Sequence, residues 1–228
     1  MPKSNTFKTA LCLFTSTIAI TGCNQSEHTD DFTNLKAFES ELAQLSRQHR
    51  KESRPPMLNI TIEGGHVTSI SIDGRCGGQK CLKQLPKSIY QFHYLTEFSL
   101  VSTSFDQIPD LRSFRSLKKV SIAYNMFEGP VHLRNLPPSI ESLELSRDGI
   151  KEVIVDDSLP HLSTFNLIQN RMEGGINPTF CKLPSLNFLD ISSGCCLSEA
   201  QQTARADAAK RILCNKNIEV SASRSFVD

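Results

Sequence analysis

Leu162 to Ser185 reads LSTFNLIQNRMEGGINPTFCKLPS. Phe165 and Leu167 alternate with polar neighbours, the pattern of a strand that buries one face. Asn170 follows, and the segment runs on to Ile176, Asn177 and Pro178. The same frame, apolar at its first, fourth and sixth positions, returns as LTEFSLVST from Leu95, LKKVSIAYN from Leu117, IESLELSRD from Ile140 and LNFLDISSG from Leu186. With Leu162 included, the starts are 22, 23, 22 and 24 residues apart. VTSISIDGR from Val67 fits as well, 28 residues before the first of these. One such strand cannot bury its face alone, whereas stacked copies share a continuous core.

These registers resemble the leucine-rich-repeat family over roughly Val67 to Cys196. Leu162 to Ser185 carries nearly the full 24-residue pattern L-x-x-L-x-L-x-x-N-x-L-x-G-x-I-P, departing where Asn177 precedes Pro178. The resemblance implies an α/β fold: a short, right-handed solenoid with a parallel sheet on its concave side. Asn125 and Asn170 stand where the family places a side-chain amide against buried backbone groups. Thr103, Asp148 and Gly194 occupy that column elsewhere, so the ladder is expected to be irregular. Pro109, Pro137, Pro138, Pro160 and Pro184 fall between strands, where a missing donor is tolerated.

A stack has two open edges, and unpaired edges invite aggregation. Met57 to Glu63 alternates like a strand, and Gly64-Gly65 suits a tight hairpin onto His66 to Asp73. Before it, Phe32, Leu35, Phe38, Leu42 and Leu45 form one helical stripe, expected to start at an Asp31 cap and end before Pro55-Pro56. At the other end Ser198 to Gln201 has capping-box spacing. A helix is predicted over 198–213, packing through Ala200, Ala204, Ala208 and Ile212, with Ile218 to Ser221 returning as a strand. The predicted organisation is therefore a leader (1–22), a tether (23–31), an amphipathic helix (32–56), the repeat domain with its hairpin (57–197) and a C-terminal cap (198–228).

Met1 to Cys23 begins with Lys3 and Lys8 and continues into a short apolar run, Ala10 to Ile20. That run is well below the roughly 20 residues a spanning helix needs, so it reads as a signal peptide. Its end, Ile20-Thr21-Gly22-Cys23, resembles the lipobox of bacterial lipoproteins. The resemblance implies lipid attachment at the Cys23 thiol, cleavage before Cys23 and acylation of the new amine; an ordinary secretory signal is the alternative. Asn24 in place of Asp favours the outer membrane, again by resemblance. Such a protein sits in the cell envelope, held on the membrane by its lipid.

With Cys12 lost with the leader and Cys23 acylated, Cys76, Cys81, Cys181, Cys195, Cys196 and Cys214 remain, an even set in an exported chain, which points to disulfides. Six cysteines allow fifteen pairings. Proximity favours Cys76–Cys81, with Cys181 and Cys214 each taking one of Cys195 and Cys196. Zinc is the alternative at Cys76-x4-Cys81 with His66 upstream, but no second close pair completes four ligands. No metal, cofactor or catalytic residue is assigned.

The chain has 228 residues, 21% charged and 39% apolar, and a net charge of +1. This composition excludes a disordered, collagen-like or multi-span membrane protein. Loss of Lys3 and Lys8 takes 25 cations to 23 against 24 acids, a net −1, so nucleic acid is not an expected partner. There is no G-x-S-x-G, H-E-x-x-H or G-x-x-x-x-G-K-[ST], and the six histidines are scattered, so the chain does not read as an enzyme. Arg47, Arg50, Lys51 and Arg54 read as cations complementing a helix C-terminus, or as contacts to anionic headgroups.

The polar positions that alternate with the core are left as the candidate binding face. Six strands at about 4.8 Å make it roughly 25–30 Å wide, enough for a protein patch or an oligosaccharide. Tyr124, Arg147 and Gln169 fall in one column on consecutive registers and are expected to form a strip, flanked by Glu144, Asn166 and Ile168, with Phe188 further along. The expected function is capture of a protein or glycan partner on the concave face of a lipid-anchored envelope protein. The alternative is an accessory envelope lipoprotein acting in an assembly without an exogenous ligand.

Overall fold

A computed structural model describes residues 17–21, 29–47, 56–76, 79–172, 176–193, 198–214 and 217–222. Cys23, Gly194, Cys195, Cys196 and the basic residues of 50–54 lie outside them, as does the side chain of Cys76. The first elements are strand β1 (Thr17–Thr21), helix α1 (Thr29–Arg47), β2 (Met57–Glu63) and β3 (His66–Asp73). Then come the short β4 (Arg75–Cys76) and β5 (Gln79–Lys80), β6 (Glu97–Val101), β7 (Lys119–Ala123), β8 (Val131–His132) and β9 (Ser142–Ser146). The chain continues with β10 (Val153–Ile154), β11 (Thr164–Asn166), β12 (Phe188–Asp190), helix α2 (Glu199–Ile212) and β13 (Glu219–Ser221).

The fold is mixed α/β, built on one nine-stranded sheet of order β1-β2-β3-β6-β7-β9-β11-β12-β13. Strands β2 and β3 pair antiparallel across Gly64 (φ +57°) and Gly65 (φ +89°), and the sheet's other pairs are parallel. The expected strands all form. Phe98 and Leu100, Val120 and Ile122, Leu143 and Leu145, Phe165 and Leu167, Leu189 and Ile191 are buried, which is what the alternation encodes.

One turn leads into each of five strands. The N–H of Leu95, Leu117, Ile140, Leu162 and Leu186 donates to the carbonyl three residues back, on Phe92, Phe114, Pro137, Leu159 and Leu183. The next residue donates across to the preceding strand: Lys118 to Thr96, Glu141 to Lys118, Ser163 to Glu141 and Asn187 to Ser163. On the return path β8 and β10 pair parallel through Val131 and Val153.

Helix α1 buries Leu35, Phe38 and Leu42, and Phe38 meets Phe92 edge to face at 5.7 Å. The Glu41 carboxylate accepts the backbone N–H of Ser88 at 3.0 Å and its hydroxyl at 2.9 Å, holding the helix to the 3-10 turn Lys87–Gln91. Phe32, at the start of the expected stripe, is 37% exposed. Asp31 does not cap: it lies inside the helix, and its Oδ2 accepts the Val67 N–H at 2.9 Å, tying α1 to β3 instead. β1, at the end of the apolar run that starts at Ala10, adds a parallel strand outside β2, so β2 is not the edge of this sheet.

Ser198 caps α2 as its spacing predicts: its Oγ accepts the Gln201 N–H while Gln201 Oε1 accepts the Ser198 N–H. Of the predicted packing face only Ile212 meets the core. Ala200, Ala204 and Ala208 are exposed, while Ala209 and Leu213 are buried with Ala206 and Ile212 partly so. Three anchors set this orientation: Arg205 Nη2 donates to the Met172 carbonyl at 2.7 Å, Leu213 enters the core, and Cys214 is bonded to Cys181. That disulfide, with Cα atoms 5.1 Å apart, overturns the expected pairing of each with Cys195 or Cys196. Chain reversal through α2 brings the two together although 33 positions separate them. Cys81 is buried and disulfide-bonded.

Candidate binding face and cleft

Parallel pairing in register turns the outward positions into rows. Ser71, Ser99, Ser121, Glu144, Asn166, Asp190 and Ser221 are successive Cα partners across seven strands. Ser121 Oγ donates to Glu144 Oε2 at 3.2 Å and Ser146 Oγ to Glu144 Oε1 at 2.9 Å, so the Glu144 carboxylate is held in place. Asn166 Oδ1 is buried and accepts no hydrogen bond. In the neighbouring row Lys119 Nζ and Glu97 Oε1 pair at 2.8 Å, and that hydrogen bond raises the lysine pKa. Ala123 and Ser146 continue the alternation of outward positions but are buried where the strands run into the loops that follow.

Tyr124, Arg147 and Gln169 sit just past the ends of β7, β9 and β11, not on the strands. All three adopt left-handed backbone, with φ of +59°, +57° and +59°, as does Ser102 at +53°. Such angles cost L-residues roughly 1–2 kcal/mol each. The bend turns the next residue, Thr103, Asn125, Asp148 or Asn170, back into the interior, where all four are buried.

These four form a continuous ladder although Thr103 and Asp148 were expected to interrupt it; Gly194, the other expected interruption, lies outside the described residues. Asn125 Oδ1 accepts the Thr103 N–H at 2.9 Å and also the Thr103 hydroxyl. Asp148 Oδ1 accepts the Asn125 N–H at 2.7 Å, and Asn170 Oδ1 accepts the Asp148 N–H at 3.0 Å. The amide nitrogens of Asn125 and Asn170 donate to main-chain carbonyls. Asp148 keeps the ladder unbroken because its Oδ1 accepts from Asn125 as an amide oxygen would, while Thr103 closes it by donating both its N–H and its hydroxyl. Burial pushes the Asp148 carboxyl from its ordinary 3.8 up to about 7, against the opposing pull of the Asn125 hydrogen bonds and of Lys80.

The ladder's bends bring the three expected strip residues together. The Arg147 guanidinium carbon lies 4.8 Å from the centroid of the Tyr124 ring, and Arg147 Nε donates to Gln169 Oε1. Tyr124 is 44% exposed, while Ile168 and Phe188 are half-buried, so Tyr124 supplies most of the apolar surface of this face.

Beyond the strip the loops after β7, β9 and β11 enclose a cleft of about 750 Å³. Met126, Glu128, Lys151, Glu152 and Arg171 line it with Arg147 and Gln169, and Met126 is 76% exposed. These five escaped sequence reasoning because they lie after the ladder column, where no alternation marks a face. Their signal was charge density between two buried positions, as in Gly149-Ile150-Lys151-Glu152.

Among the described residues no group of acidic, histidine and cysteine side chains could hold a metal ion, and no helix is long and apolar enough to cross a membrane. Comparison of the chain with protein-family models, curated proteins and solved structures returned no match.

Proposed function

We propose that the parallel stack is a short, right-handed leucine-rich-repeat solenoid and that its concave side binds a protein or glycan partner. On this reading the chain is a non-enzymatic lipoprotein, cleaved before Cys23 and carried on the cell envelope's outer membrane by its acyl chains. The observation that carries the binding role is the strip formed by Tyr124, Arg147 and Gln169. An aromatic ring with a guanidinium stacked on it offers rigid area and fixed donors, the features of residues that dominate binding energy. Support for the solenoid is the return of the same turn and the same cross-strand bond at the five registers from Leu95 to Leu186, and of the same left-handed bend in four of them, at Ser102, Tyr124, Arg147 and Gln169. Support for the address is Ile20 to Cys23 directly after the apolar run.

The test is capture of envelope proteins and glycans by the lipidated protein in detergent. Tyr124→Ala with Arg147→Ala should weaken the retained partner by at least ~2 kcal/mol, about 30-fold, with little change in melting temperature. Arg112→Ala and Arg134→Ala, outside the strip and cleft, should leave it unchanged. The opposite pattern refutes the concave-face reading.

A further inference from the structure

We infer that the cleft past the ends of β7, β9 and β11 is a subsite for an acidic sugar residue of a glycan. The inference rests on the partner-binding reading above and narrows its ligand.

Three cations face the cleft, Arg147 and Lys151 on one register and Arg171 on the next. Lys151 and Arg171 are exposed, and neither enters an ion pair among the described residues. Two unpaired cations beside a third are an electrostatic cost that an anionic ligand would relieve. Asp148, Glu128 and Glu152 line the same cleft; Asp148 is committed to the ladder, Glu152 Oε1 accepts the Asn177 amide at 3.3 Å, and neither glutamate enters an ion pair among the described residues, so three cations face two exposed carboxylates.

A glycan fits this chemistry better than a peptide does. Sugar hydroxyls both donate and accept, matching a lining that mixes carboxylates with the Gln169 amide. The exposed Tyr124 and Met126 provide apolar area for the C–H face of a pyranose. Successive registers are about 4.8 Å apart, close to the length of one pyranose residue, so neighbouring sugars meet neighbouring loops. On the strands that lead into these loops, the row Ser121, Glu144 and Asn166 offers further partners for sugar hydroxyls, and Asn166 Oδ1 lacks a donor. The cleft's volume suits one or two sugar residues.

The experiment is calorimetric titration of the mature lipidated protein in detergent with trigalacturonate, maltotriose and triglutamate. The expected result is binding of trigalacturonate, at least tenfold weaker binding of the other two, and at least a tenfold loss in Lys151→Gln/Arg171→Gln with melting unchanged. Lys151→Arg should retain binding. Absence of trigalacturonate binding, equal binding of maltotriose or triglutamate, or an unaffected double variant overturns the inference. If that variant still captures the envelope partner while Tyr124→Ala/Arg147→Ala loses it, the acidic-sugar subsite falls and the broader reading stands. If neither variant loses the partner, both fall.

Discussion

Asp148 Oδ1 accepts the backbone N–H of Asn125 at 2.7 Å and the Asn125 side-chain amide at 3.1 Å, while Asp148 Oδ2 is buried and makes no hydrogen bond. An asparagine here would place an NH₂ where Oδ2 sits, as Asn125 and Asn170 do beside it. A protonated carboxyl is the nearest equivalent, since its O–H can donate and its charge is gone. The column therefore selects the neutral form, in keeping with a pKa lifted to about 7 by burial.

A pH dependence of stability follows. The folded protein holds this proton to about pH 7, whereas an unfolded aspartate releases it near 3.8. The resulting stabilisation is fully present below about 3.8, declines as pH rises through that interval and is gone above 7. The gap corresponds to on the order of 4 kcal/mol. Chemical denaturation from pH 4 to 8 should show this decline, and Asp148→Asn should flatten it while raising stability at pH 8. An unchanged pH profile in Asp148→Asn would refute the assignment.

Gly74 stands one strand before the ladder, where a Cβ would come within 2.6 Å of Thr103 Cγ2 and 3.2 Å of the Ser102 carbonyl. Gly74→Ala should destabilise by roughly 1–3 kcal/mol, as over-packed sites do. Thr103→Ser removes the methyl but keeps the hydroxyl that bonds Asn125, so adding it should restore part of the loss. Thermal melts of the single and double variants decide this, and no rescue would place the clash elsewhere.

Much of the scaffold was legible, because alternation specifies both a strand and its buried face. Phe98 and Leu100 could not be moved by one residue without exposing both. The hairpin and the α2 cap were legible because Gly64-Gly65 and Ser198 with Gln201 act locally. What escaped depends on where distant segments meet. Alanines at 200, 204, 206, 208 and 209 leave α2 no single apolar stripe, so its face is set by Arg205, Leu213 and Cys214. Sequence proximity favoured Cys195 and Cys196 for Cys181 and Cys214, but α2 returns Cys214 to Cys181. The strip was legible as a column, but its left-handed backbone was not, since Tyr, Arg and Gln carry no signal for positive φ.

The Cys181–Cys214 bridge closes a loop spanning 33 positions and fixes α2 to the 3-10 turn Pro178–Lys182. Cys181→Ala with Cys214→Ala should cost about 2–4 kcal/mol. Hydrogen exchange should quicken first in α2 and β13, because the main sheet's inner strands keep their pairing. Uniform acceleration across β6 to β11 would show that the bridge does not act locally.

The anchor reading predicts that Cys23→Ser yields an uncleaved precursor without acyl label. Such a precursor keeps Thr17–Thr21, the strand paired with β2. Its β2 amides should therefore exchange more slowly than those of the cleaved protein, in which β2 becomes an edge. Palmitate incorporation into Cys23→Ser with unchanged fractionation would refute the lipoprotein address.

Tyr124 has two separable roles, and two substitutions tell them apart. Its φ of +59° costs any L-residue, and its ring supports Arg147 at 4.8 Å. Tyr124→Ala discards the ring but keeps the backbone penalty, whereas Tyr124→Gly discards both. Tyr124→Gly should accordingly be more stable than Tyr124→Ala by about 1 kcal/mol. A double-mutant cycle with Arg147→Ala should give a coupling of about 0.5–1 kcal/mol for the stacked pair. Partner binding should fall equally in both Tyr124 variants, since neither retains the ring. If Tyr124→Gly binds as wild type, the bend and not the ring is what the partner requires, and the strip loses its role as anchor.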